Sequence, residues 1–214
     1  MSTHYFFMSS LLERLARPSF FCRLVALTLR VMAALIVLLS LTIFFKVGKL
    51  TFELPANAVL GGILFEAFFA LAVYATVHAF LIRARDIEAL RTAEAYAISV
   101  LALLLKLAGE AYCAFVSLMA VGAGLFIWFT NQGLANVLGP LVRALFPGSS
   151  SDSSFMGGIE LMASGVVIGI GALVLAYASA QGLSLLVRPA LPGGVPRFPS
   201  ADVTPSPRSR FGSG

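Results

Sequence analysis

Four long apolar runs, separated by short polar stretches, organise this chain. The first covers residues 24–45 and holds one charge, Arg30, about two turns inside its start. That is close enough to the helix end for the guanidinium to snorkel to the headgroups. The second covers 58–82 and carries Glu66 and His78; the third lies within 95–130 and carries Lys106 and Glu110; the fourth covers 158–187 and has no charge after Glu160. A helix of about 20 mainly apolar residues crosses the hydrocarbon of a bilayer. The pattern predicts an all-α integral membrane protein, a four-transmembrane-helix bundle over residues 24–188, with a segment 1–23 before it and a tail 189–214 after it.

The polar stretches differ in kind. Residues 46–57, KVGKLTFELPAN, read as a short outer loop, in which the alternation of Leu50, Phe52 and Leu54 permits a small strand. Residues 83–94, RARDIEALRTAE, mix both signs of charge with good helix formers. They are expected to continue helically into the third span, as a cytoplasmic extension between spans two and three. Residues 134–146 predict a short interfacial helix broken at Gly139 and Pro140. PGSSSDSS, 147–154, reads as a flexible linker, and the Pro-, Ser- and Arg-rich tail as a disordered cytoplasmic segment.

Composition agrees with lipid as the solvent. The 214 residues are 59% hydrophobic and 12% charged, whereas a soluble domain carries about 25% charged residues. The net charge of +5 does not point to nucleic acid, because no basic and aromatic platform accompanies it. The cations lie at span edges and in the tail, where they act as orientation signals and meet anionic headgroups. Arg14, Arg17, Arg23, Arg83, Arg85, Arg91, Arg188, Arg197, Arg208 and Arg210 fall on one side, against Lys46, Lys49 and Arg143 on the other. This bias predicts that both termini are cytoplasmic, with a bacterial inner membrane as the default host. The start of the chain lacks the pattern of a cleavable signal, so the first run is expected to be a retained span. Cys22 and Cys113 show no pairing or ligand spacing and read as buried thiols.

Candidate chemistry resides in the polar groups within the spans, each of which needs a partner, a proton or water. Lys106 and Glu110 are one helical turn apart and are expected to pair. Residues 111–130 can cross alone, and the pair would then sit at the cytoplasmic interface; a crossing that begins near residue 95 would put it mid-bilayer. The shallow placement is preferred because it needs less desolvation. Glu66 counts as about 12 Å inside the second span, with no cation close in sequence. It is either a neutral, hydrogen-bonded carboxyl or a proton- or cation-handling site, and Glu160 enters from the same side and could share its proton. His78 has no second intramembrane histidine with which to hold a haem.

Gly165, Gly169, Ala172, Ala176 and Ala180 recur at helical spacing in the fourth run. They predict a packing face for a neighbouring helix, within the bundle or on another subunit. There is no HExxH, P-loop, GxSxG or paired Cys/His ligand set. The expectation is a non-catalytic membrane protein without a cofactor, an accessory subunit whose partners are lipids and other membrane subunits or its own copies. The alternative is a small proton- or cation-coupled transporter or channel using Glu66 and Glu160.

Overall fold

The computed structural model describes residues 18–56, 58–90, 96–131 and 154–187. Four helices account for nearly all of them: α1, Pro18–Glu53; α2, Val59–Ala89; α3, Tyr96–Thr130; and α4, Phe155–Val187. Each is long and apolar enough to cross a membrane. The interfacial helix expected at 134–146, the linker after it, most of the segment before the first span and the whole tail lie outside the described residues.

Helix ends follow local chemistry. Pro18 opens α1, where its missing N–H is an orphan donor in any case. Thr130 is followed by Asn131 at φ 53°, the left-handed conformation that stops a helix, with its N–H donating to the Ile127 carbonyl at 2.9 Å. Ser154 caps α4, its Oγ accepting from the Gly157 N–H at 3.0 Å.

One boundary differs from the sequence expectation. The stretch 46–57 is not a loop with a strand, because α1 runs helically through Glu53. The cause is tertiary: Val47 and Thr51, one turn apart, are both buried against α2, with Thr51 packed on Gly62. A helical period buries that pair on one face, whereas an alternating strand would not. Of the charged stretch 83–94, expected to run helically into the third span, residues 91–94 lie outside the described residues. Residues 83–89 finish α2, which ends where the Leu90 N–H donates to the Ile87 carbonyl at 3.2 Å.

The helices pack chiefly in chain order, α1 on α2, α2 on α3 and α3 on α4. Two buried clusters stack along this bundle. One joins Val47, Phe65, Phe69, Val116, Met119, Phe126 and Leu161, with Phe65 and Phe126 edge to face at 6.0 Å. The other gathers Cys22, Ala26, Leu29, Ala84, Ile87, Val100 and Leu107 at the end where α1 starts and α2 finishes. Apolar side chains also cover the outside: Leu27, Val31, Leu35, Leu38 and Phe45 of α1, and Val167, Val174 and Leu175 of α4, are all exposed. A contiguous apolar exterior of this kind needs lipid or a partner to cover it.

Candidate functional site

The polar groups of the spans collect at two levels. At the first, Arg83 of α2 meets Glu110 of α3 through a two-point ion pair. Its Nε donates to Glu110 Oε2 at 3.0 Å and its second terminal nitrogen reaches Glu110 Oε1. Tyr177 of α4 completes the group by donating its hydroxyl to the same Oε1, while accepting from Arg83 at 3.3 Å. Asp86, one turn along α2, accepts from Arg83 at 2.9 Å. One guanidinium, one carboxylate and one phenol thus fasten three helices together. The planar fork of arginine fits a carboxylate at both oxygens, a geometry that a lysine ammonium lacks.

Lys106 is not the partner of Glu110. Its Nζ stands over the Tyr177 ring, 5.4 Å from the centroid, and among the described residues no carboxylate is within ion-pair distance of it. The expected intrahelical pair is therefore replaced by an interhelical one. Further out at the same end, Arg30 donates to Glu88 at 2.8 Å and ties α1 to α2. In the sequence pattern Arg30 is a marginal charge and Arg83 a topogenic one, and Tyr177 is not among the candidate site residues. The available signal was the unmatched valence of Glu110, for which Arg83 at the end of the neighbouring span was a candidate as good as Lys106.

The second level lies toward the other end. Glu66, half-buried, lies 3.3 Å from the Thr51 hydroxyl of α1, which also donates back to the Val47 carbonyl at 3.0 Å. Gly48 leaves room for the carboxyl: a Cβ there would stand 3.1 Å from Glu66 Oε1. Contacts between neighbouring helices fix the register. Gly48 lies against Glu66, Phe65 and Phe68 against Gly122, and Gly124 against Gly158 and Met162. This places Glu66 of α2 and Glu160 of α4 at similar heights, close to that of Lys46 and Lys49 on α1. Glu160 is exposed. Seventeen residues separate Glu66 from Arg83 and Glu160 from Tyr177, about 26 Å of helix in each case. That spacing is close to the ~30 Å hydrocarbon thickness of a bilayer.

The small residues of α4 face α3. Gly165, Gly169, Ala176 and Ala180 are buried and Ala172 is half-buried. A Cβ on Gly169 would stand 2.5 Å from Ser117 Oγ and 3.2 Å from the Cys113 carbonyl, and one on Gly109 would collide with Ala176 Cβ. The stripe is a seam inside the chain, so it is not an open face for a second subunit. His78 is exposed and stacks on Tyr74 with ring centroids 5.8 Å apart. Among the described residues no group of three His, Cys, Asp or Glu side chains is placed to hold a metal. A cavity of about 330 Å³ between α1 and α2 is lined by Val37, Leu41, Phe44, Phe69, Val73 and Tyr74, apolar almost throughout.

Four packed apolar helices, with polar groups concentrated at two levels, define a multi-pass helical membrane protein. Comparison with protein-family models, curated proteins and solved structures returns no match.

Proposed function

We propose that this chain is a non-catalytic subunit of a membrane assembly. The hydrocarbon spans the interval between its two polar levels, and both termini lie on the cytoplasmic side. The observation that carries the reading is how the intramembrane polar groups are used. Arg83, Glu110 and Tyr177 join α2, α3 and α4 to one another, Thr51 meets Glu66 across the α1–α2 contact, and Arg30 holds Glu88. These contacts link helices to one another. The small-residue seam is likewise internal, and the surface assigned to a neighbouring subunit is the exposed face of α1, Leu27, Val31, Leu35, Leu38 and Phe45. The arginine bias supports the orientation, and a bacterial inner membrane is the host consistent with it.

Isolation of the full chain from its native membrane in a mild detergent, followed by mass spectrometry, tests this reading. A stoichiometric partner that is lost in Leu38→Trp is the expected result, because fluid lipid yields to the larger side chain and a packed interface does not. A chain that purifies alone and as a monomer overturns it.

A second reading has one observation in its favour, the matched heights of Glu66 and Glu160. In it the two acids handle protons or cations at one face of the bundle. Flux in liposomes that Glu66→Gln abolishes supports that role; the absence of flux, or flux indifferent to the substitution, removes it.

A further inference from the structure

The α3–α4 register puts Lys106 beside a second polar group. Glu110 meets Tyr177 and Gly109 meets Ala176, so in this antiparallel pair the residue one turn outward on α3, Lys106, stands level with the residue one turn outward on α4, Gln181. Gln181 is exposed. Below it on α4 lies an open trough of about 360 Å³, lined by Leu173, Val174, Tyr177, Ala178 and Gln181. From Gln181 to Leu173 the trough descends eight residues, about 12 Å, toward the middle of the bundle. Its outer end is polar and its inner end apolar.

A neighbouring charge distinguishes this trough from the rest of the apolar exterior: Lys106 is not one of its lining residues but stands over the ring of Tyr177, which is. The Arg83 guanidinium is already engaged with Glu110, Asp86 and Tyr177, whereas Lys106 lies over the face of the Tyr177 ring and, although its charge also acts on Glu110, makes no ion pair among the described residues. An ammonium on an aromatic face keeps donors free for an anion. We propose that Lys106, Tyr177 and Gln181 form a binding site for one anionic phospholipid. The phosphate sits between the Lys106 ammonium and the Gln181 amide, and one acyl chain lies along Leu173, Val174 and Ala178. The charge end of the lipid is then at the level where the polar groups of α2, α3 and α4 meet, and its tail is in the hydrocarbon interval. The site rests on the membrane placement but not on a protein partner, so a chain that purifies alone leaves it standing.

The test compares spin-labelled phosphatidylglycerol and phosphatidylcholine as probes of the full chain in phosphatidylcholine bilayers, read as the motionally restricted fraction. A single cation at the headgroup level predicts a preference of about fivefold for phosphatidylglycerol. Lys106→Gln removes most of that preference and Lys106→Arg keeps it. Val174→Trp fills the trough without changing charge and also lowers it, so the test does not depend on the folding of the Lys106 variants. Arg85→Gln, an exposed cation at the same end, leaves it unchanged. Equal association of the two lipids with the unaltered chain overturns the proposal. So does a preference indifferent to Lys106→Gln and Val174→Trp, or one lost equally in Arg85→Gln, which would mark a diffuse charge effect. Loss of the preference on adding millimolar inorganic phosphate at constant ionic strength would reassign the seat to a free anion.

Discussion

Glu110 shows how a single carboxylate decides the packing of three helices. Its two oxygens receive Arg83 and Tyr177 from different helices, and the side chains of the ion pair are 18% and 23% exposed, so water competes weakly for them. A double-mutant cycle on Arg83 and Glu110, read by unfolding in mixed micelles, is expected to give a coupling of about 2 kcal/mol; the Lys106–Glu110 cycle should give well under half of that. Tyr177→Phe removes two hydrogen bonds but keeps the ring under Lys106, and should cost about 1 kcal/mol, within the range for interhelical polar contacts in membranes. The sequence made it legible that Glu110 needed a cation, because an unpaired charge in an apolar run is costly. It did not make legible which cation. Lys106 is the neighbour along the helix, but Arg83 becomes the neighbour in space only once α2 and α3 are antiparallel and in register.

At the scale of the element, the small residues of α4 act where the backbones touch. Gly169 lies against Ser117 and Cys113, whereas a Cβ on Gly171, two residues further along the same helix, meets nothing within 4 Å. Gly169→Leu should therefore destabilise the α3–α4 seam by about 3 kcal/mol or more. Gly171→Ala should stabilise the chain by about 0.5–1 kcal/mol, the ordinary gain from replacing glycine in a helix interior. Thermal melts of the two variants in one detergent check both signs. The spacing of the stripe was readable in the sequence because small residues four apart share a helix face. The occupant of that face was not, since close approach serves a neighbouring span and a second subunit equally well. The overrun of α1 to Glu53 was illegible for a related reason. Leu50, Phe52 and Leu54 alternate locally, but the decisive contact is Thr51 against Gly62, across a hairpin that the local pattern does not encode.

For the whole molecule, the existence and order of the four spans followed from apolar run length alone, because the hydrocarbon sets a length that few soluble elements reach. The helices are longer than that length, 36 residues in α1 and 31 in α2, and the surplus was not readable as such. Counted from the start of its helix, Glu66 looked deep in the span; counted from Lys46 and Lys49 at nearly its own height, it borders the apolar interval. Single cysteines at 49 and at 85, in a background with Cys22 and Cys113 replaced by serine, should therefore react with a membrane-impermeant maleimide from opposite sides of sealed vesicles. Labelling of both from one side refutes the two-level placement. The serial order of contacts has its own consequence. Because α1 leans mainly on α2, it is the strand of the rope most easily unwound: a break in the chain between Glu53 and Val59 should yield two pieces that find each other again when made separately, with the later three helices waiting ready for the first.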